Sequence, residues 1–488
     1  MNSNKWIGLI ALAASFTLTS CSGVGDTCKV NCGGGSGNAS LNVTLAAEPL
    51  VPPPGTSILS FAVVINSVSL TPSSGGSDVS IPLNTSTFGV DLMRLTSDSA
   101  YLGQYINSVP AGTYNQLSVN MSAVVTYCVA TSGTPGCNTG SIAQISKSFA
   151  TPATSNFSLS LAANQQAGLR VVVNFANALT VNSTTQAVTG VSLTANNVIT
   201  TVTLPPSAST LSTGQLDYVE DVTGVVTAES ASSVTLQTAT RGSITSTING
   251  STIGSPNCVI GNQVCSPTVG QVASIDATLN SDGTSTMLEF DPLTTTSEDL
   301  IEGIVTSSNT STTQFQLVAN DYIPASSGSI ISGINLGDTV NVTLSAGVLP
   351  FVIDSKGLPV VTTSFSGSTS ATDILPGQTV LLHITSFTAR SGNTPASATV
   401  DALALRFSRV PGYVSAAPSP YFSLQSLPPF FGQTGTNQVQ FGTGSPSTYL
   451  DGYSSTGAIS VGDNVSIRAL YFGLNSTPSF TAAKVRKN

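Results

Sequence analysis

The chain has 488 residues, 8% of them charged and 40% hydrophobic, with a formal net charge of −9. Nucleic acid is set aside as a partner, because phosphate neutralisation needs clustered Lys and Arg, and the 14 cations here are scattered. Disorder is set aside too, since Val, Ile, Leu and Phe recur at strand spacing, and the length allows about three or four domains that each close a core.

At the start of the chain Lys5 gives a short positive region, Trp6 to Leu18 is mostly apolar, and the run ends at Leu18-Thr19-Ser20-Cys21. That order is the grammar of an export signal. The apolar run falls short of the roughly 20 residues that a spanning helix needs, and no stop-transfer flank follows. Leu18 to Cys21 resembles a lipobox: a large aliphatic residue, two small ones and a cysteine that is acylated before cleavage. The resemblance implies a signal peptide over residues 1–20 and a membrane partner reached through lipid on Cys21, where several acyl chains give durable attachment at about 0.8 kcal/mol per buried methylene. The alternative is an ordinary secretory signal with a chance cysteine. Ser22 stands where aspartate would suggest inner-membrane retention, so the expected address is the cell envelope, lipid-anchored, with the outer membrane favoured.

Residues 21–40 read as a flexible tether, with Gly33-Gly34-Gly35-Ser36-Gly37 at its centre. The cysteines after Cys21 fall into local pairs: Cys28 with Cys32, Cys128 with Cys137, and Cys258 with Cys265. The last two pairs bracket turn residues, so they read as disulfide staples of hairpin ends in an oxidising compartment. The pair in the tether could remain reduced. A metal is not expected, because no histidine or second thiol pair neighbours either couple.

From Leu41 the hydrophobic period becomes two. Leu41, Val43 and Leu45 alternate with polar residues; so do Phe61, Val63 and Ile65, then Leu117, Val119 and Met121, then Phe157, Leu159 and Leu161. Half-buried antiparallel strands require this alternation. Val109-Pro110-Ala111-Gly112-Thr113-Tyr114 resembles the turn-and-strand opening of transthyretin-like and carboxypeptidase-regulatory-like Greek-key sandwiches. Residues from about 40 to 203 resemble, by pattern, an uncharacterised domain-of-unknown-function family found at the N-terminus of bacterial surface lipoproteins. A β-sandwich domain is therefore expected over residues 41–203, ended by Leu204-Pro205-Pro206-Ser207.

Beyond that boundary the chain repeats. Gly224-Val225-Val226-Thr227, Gly303-Ile304-Val305-Thr306 and Gly412-Tyr413-Val414-Ser415 share one form, and each precedes a second strand. Later come Gly270-Gln271, Gly377-Gln378 and Gly462-Asp463, each feeding another strand. Three copies of one order of events mark a tandem array. The strand-hairpin-turn order resembles small OB-like barrels, and the units resemble a second domain-of-unknown-function family found as tandem copies. The expected units are residues 213–293, 298–409 and 410–488, the middle one carrying an insertion around Leu336-Gly337-Asp338. The expected fold class is all-β: an N-terminal Greek-key β-sandwich followed by three tandem small OB-like β-barrels.

Chemistry is scarce. His383, the single histidine, reads as a structural or surface residue of a strand, and no Gly-x-Ser-x-Gly elbow accompanies it. Glu220 and Asp221 precede the first repeat glycine, and Glu298, Asp299 and Glu302 the second. Paired carboxylates hydrolyse glycosides, but their recurrence in a repeat argues for a solvated loop leading into each barrel. Calcium is a weaker use for the same acids, since the alternating Asp/Asn spacing of a calcium loop is missing. No catalytic residue, metal or cofactor is expected.

Aromatic residues gather in the last unit. Tyr413, Tyr421, Phe430, Phe431, Tyr449 and Tyr453 are candidate ligand-stacking positions, because rings on OB-like faces hold flat ligands; packing of the core and plug of the terminal barrel is the favoured use for them. The favoured function is a membrane-anchored, non-catalytic binding or adhesion module for polysaccharide or an envelope protein, with reach and multivalency from tether and repeats. The alternatives are a structural spacer or assembly subunit without ligand, and a carboxylate-dependent glycoside hydrolase. An outer-membrane barrel is opposed by the cationic terminus Lys484-Val485-Arg486-Lys487.

Overall fold

The computed structural model describes residues 37–49, 55–131, 133–137, 141–148, 151–204, 215–254, 258–260, 267–280, 284–309, 313–345, 351–360, 373–418, 420–432, 437–444, 447–474, 476 and 478–488, without the side chains of 104–107 and 215–220. The expected signal peptide over residues 1–20, Cys21, Cys28, Cys32 and Cys265 lie outside the described residues. The described chain is almost wholly β.

The N-terminal domain is built from β1 (Asn38–Glu48), β2 (Thr56–Pro72), β3 (Val79–Ile81), β4 (Phe88–Asp91), β5 (Ala100–Pro110), β6 (Gly112–Val129), β7 (Ile142–Ser148), β8 (Ala153–Leu161), β9 (Gln166–Asn174), β10 (Leu179–Val181), β11 (Val188–Val191) and β12 (Ile199–Leu204). One sheet runs β12-β9-β1-β5, with β1 and β9 parallel; the other runs β3-β2-β6-β7, with β4 also on β2 and β8 also on β6. The alternating residues meet between the sheets. Leu41, Val43, Phe61, Ile65, Leu117, Val119, Leu169 and Val171 form one core, and the rings of Phe61 and Phe175 lie 4.9 Å apart.

Three barrels follow. The first holds β13 (Gln215–Ser230), β14 (Ser233–Gln237), β15 (Ser243–Thr247), β16 (Ile253–Gly254), β17 (Val272–Asn280) and β18 (Ser285–Pro292). The second holds β19 (Leu300–Ser308), β20 (Gln314–Ile323), β21 (Thr339–Leu344), β22 (Phe351–Ile353), β23 (Thr379–Thr388) and β24 (Ala396–Arg406). The third holds β25 (Ser408–Ala416), β26 (Phe422–Gln425), β27 (Gln438–Phe441), β28 (Tyr449–Asp451), β29 (Asn464–Tyr471) and β30 (Phe480–Lys487). Each sheet has the same order, third-second-first-fifth-sixth-fourth, and a parallel pairing of third with sixth closes it. Closure removes the exposed sheet edges that a weakly charged β protein would otherwise offer for aggregation.

The repeated glycines have a steric reason. A Cβ on Gly224 would sit 2.5 Å from the carbonyl oxygen of Gln237, on Gly303 2.5 Å from that of Val318, and on Gly412 3.0 Å from that of Gln425. At these points the first strand crosses tightly over the second and shifts register just beyond, at Val226/Ala228, Val305/Ser307 and Val414/Ala416. The later turns repeat as well. Gly270, Gly377 and Gly462 take φ of 97°, 97° and 92°, which glycine adopts freely. The following side chain closes the turn: Gln378 Oε1 accepts from the Leu375 amide at 2.8 Å, and Asp463 Oδ2 from the Ser460 amide at 2.8 Å.

The barrels are not beads on a string. Leu293, Leu300, Ile323, Leu381 and Ala404 form a shared apolar contact of the first two, and Leu470 and Phe472 of the third enter the second barrel's core. The sandwich touches all three. Asn84 Nδ2 donates to the Arg241 and Ser243 carbonyls at 2.8 Å, Thr126 Oγ1 to the Gly337 carbonyl at 2.8 Å, and the Gly136 amide to the Phe430 carbonyl at 2.6 Å. Cys128 and Cys137 are joined, with Cα atoms 5.9 Å apart, and their loop wedges between the second and third barrels. Cys258 is also in a disulfide.

Candidate functional site

Three of the carboxylates that precede the repeat glycines, Asp221, Asp299 and Glu302, are buried and not solvated, which corrects the expectation from sequence for them. Asp221 and Glu302 are buried at the junction of the barrels. Asp221 Oδ1 meets Arg406 and Arg468 at 3.1 Å and Lys356 at 3.2 Å, and its other oxygen accepts from Arg409. Glu302 receives Arg406 at 3.2 Å and Arg94 of the sandwich. Burial works to raise the Asp221 pKa, but Arg468, Lys356, Arg409 and Arg406 overcome it and hold the group well below the usual range. Glu302 is likewise held low by Arg94 and Arg406 against burial. Glu298 is partly exposed, Asp299 is engaged by the Ala325 and Ile330 amides at 2.8 and 2.7 Å, and the side chain of Glu220 lies outside the described residues.

The repeat itself explains this junction. Gly224, Gly303 and Gly412 pair with Ala273, Val380 and Val465 on the fifth strands. Three residues further along stand Asp276, His383 and Arg468, whose sixth-strand partners are Glu289, Ala402 and Lys484. One equivalent position is thus acidic in the first barrel and basic in the third, and Asp276 meets Arg468 at 3.1 Å. The lysine that completes the cluster, Lys356, takes φ of 48° and reaches Asp276 at 3.4 Å and Asp291 at 3.5 Å. This is an ionic core whose charges pair with one another.

His383 stands apart on the second barrel, with Nε2 3.3 Å from Glu298 and Nδ1 2.5 Å from Asp401. Among the described residues no group of three or more His, Cys, Asp and Glu is placed to hold a metal ion, and no helix is long and apolar enough to cross a membrane.

The aromatic residues of the third barrel divide. Phe430 and Phe431 are each 1% exposed, and the Phe431 ring packs on Tyr471 at 5.1 Å and Phe480 at 6.2 Å. They plug the barrel and are not available for stacking, so the ligand-stacking use falls away for these two. Tyr413, Tyr421, Tyr449 and Tyr453 remain half-buried. Tyr449 and Tyr453 lie under Lys484 and Lys487 at 5.6 and 5.2 Å, and Tyr453 donates to Asp463 at 2.9 Å. No single face unites the four with the two phenylalanines.

What sequence reading missed is a groove of about 300 Å³ where sandwich, first barrel and second barrel meet. Val64, 40% exposed, and Val124 give it an apolar floor; Ser122, Ser146, Gln144, Thr240, Asn335 and Asp338 give it a polar wall. Tyr322 and Arg390 complete the lining. Burial, with Asp321 and Asp338 nearby, raises the Tyr322 pKa, so its hydroxyl stays a donor. Arg390 reaches Asp338 at 3.6 Å and donates to Gln144, whose own amide donates to the Gly337 carbonyl at 2.6 Å. The insertion of the second barrel is what builds this wall. Its length was legible in the sequence, whereas its landing place depends on a contact more than a hundred residues distant.

No curated protein matches the chain. Residues 38–253 match the family model of a domain of unknown function, DUF4382. The match does not stop with the sandwich at Leu204 but continues through the first three strands of the first barrel. The matched stretch, residues 38–253, is similar to DUF4382, and its limits cross the sandwich-barrel boundary.

Proposed function

We propose that this protein is an exported, lipid-anchored cell-envelope protein, held through Cys21 with the outer membrane favoured, that acts as a non-catalytic binding module for polysaccharide. The observation that carries the reading is the groove between the sandwich and the second barrel. It combines a tyrosine ring, an apolar floor, several hydroxyls and side-chain amides, and an arginine paired with Asp338, which is a mixture that orients a hydroxyl-rich ligand. Two carboxylates near the repeat glycines, Asp221 and Glu302, are buried in ion pairs, which weighs against their use by a hydrolase. The Cys128–Cys137 disulfide supports an oxidising compartment.

The firm packing of sandwich and barrels favours a second reading, a rigid assembly subunit that displays no ligand site of its own. The two are separated by Tyr322→Ala and Ser122→Trp, which remove the ring and fill the groove respectively. Loss of retention on insoluble polysaccharide by both variants is the outcome expected of a binding module, and unchanged retention points to the assembly role. Export and anchoring are tested by Cys21→Ser, which should move the protein from the membrane to the soluble fraction.

A further inference from the structure

We propose that the open mouth of the first barrel is a binding site for a small uncharged molecule with an aromatic or branched-aliphatic body. The three barrels share one topology but differ at the end where the second strand turns into the third. In the second barrel that connection is residues 324–338 and delivers Ile331 and Ile334 into the barrel core. In the third it is residues 426–437 and delivers Phe430 and Phe431. In the first it is only residues 238–242 and delivers no plug. A cleft of about 370 Å³ remains there, walled by Val222, Ile244, Ala277 and Leu279 and by Leu83 and Tyr101 of the sandwich.

The strand registers show what is missing. Leu279 pairs with Ser285 in the first barrel, as Tyr471 pairs with Phe480 in the third. The rings of Tyr471 and Phe480 stack at 4.8 Å under Phe431. Both positions in the first barrel are smaller, and Ser285 turns its hydroxyl to Ser246 at 2.7 Å. The cleft is held open from outside, since Asn84 pins the sandwich loop to the Arg241 and Ser243 carbonyls at 2.8 Å.

The ligand class follows from the lining and from the two filled mouths. No charged side chain lines the cleft among the described residues, so a charged ligand would lose its hydration without gaining a counter-ion. The side chains that fill the equivalent space elsewhere are phenylalanine and isoleucine, so an occupant of that size and polarity fits. The polar rim of Asn84, Ser243 and Thr245 suits one hydroxyl or ring N–H. The volume lies within the range of small-molecule pockets, roughly 300–1,000 Å³.

The test titrates indole and 4-methylphenol into the intact protein and follows the methyl resonances of Val222, Ile244 and Leu279 by NMR. Saturable shifts at these methyls are expected, with 4-methylbenzoate at least about tenfold weaker for want of a cation. Ser285→Phe and Leu279→Tyr each install the third barrel's residue, and each should weaken binding by about tenfold or more while Ser285→Ala does not. Absence of saturable shifts with both neutral probes, or equal binding by folded Ser285→Phe and Leu279→Tyr proteins, overturns the proposal. Retention on polysaccharide through the Tyr322 groove is unaffected by these variants, so failure here leaves the function proposed above standing.

Discussion

Arg406, on the last strand of the second barrel, meets Asp221, on the first strand of the first barrel, at 3.1 Å, and both side chains are fully buried. The same guanidinium reaches Glu302 and Asp354 within its own barrel. Two barrels are therefore joined through charges that have no access to water.

Removing one partner strands the others. Arg406→Met leaves Asp221, Glu302 and Asp354 short of a cation in a dry site, and should cost about 3–5 kcal/mol. Denaturant unfolding followed by far-ultraviolet circular dichroism measures it. A change under 1 kcal/mol would mean that water reaches the junction.

The ionic core also sets the pH response. Burial pushes Asp91 up to about 6, and burial with the Asp354 carboxylate does the same to Asp291. Glu289 rises to about 11, through burial first and Asp291 second. For all three the folded state holds the proton more tightly than the unfolded state, so stability falls as pH rises above the unfolded values and increases on acidification from pH 7 towards pH 4. Asp221 and Glu302 work the other way. Their stabilisation is present above the unfolded carboxylate range and lost as pH falls through their lowered folded values. A stability maximum at about pH 4 follows. Glu289→Gln should raise the melting temperature at pH 8 and change it little at pH 4; the reverse pattern would contradict the assignment.

The crossing glycines should rank by clearance. Gly303→Ala places a methyl 2.5 Å from a backbone oxygen, whereas Gly412→Ala places it at 3.0 Å. Both destabilise, Gly303→Ala by about 1–3 kcal/mol more, in the range of overpacking costs. Equal costs would show that the second barrel opens its crossing freely.

Phe431→Ala separates plug from platform. A buried ring removed from the third barrel should cost about 3–5 kcal/mol and leave polysaccharide retention intact wherever the protein is folded. Loss of retention in a variant of native stability would restore Phe431 as a ligand residue.

Much of this architecture is legible in the sequence because strand alternation and tight crossings are local. Leu41, Val43 and Leu45 announce a strand, and Gly270-Gln271 announces a positive-φ turn whose side chain closes it. The fates of Asp221 and Glu302 are not legible in that way. They read as solvated because the cations that cover them, Arg94, Arg406 and Arg409, are scattered along the chain and converge only when the sandwich and three copies of one barrel pack together. Phe430 and Phe431 leave stacking open beside core packing for a related reason: a ring in a proline-bounded loop looks exposed until the barrel mouth beneath it is known. The groove at Tyr322 and Arg390 is likewise a product of packing between modules.

The most direct test is a retention isotherm for unlipidated residues 22–488 on insoluble polysaccharides and purified envelope fractions, beside the Tyr322→Ala and Ser122→Trp variants. Saturable binding that both folded variants lose is the predicted result. Saturable binding that both retain, or no binding to any polysaccharide, would contradict a polysaccharide-binding module at this groove.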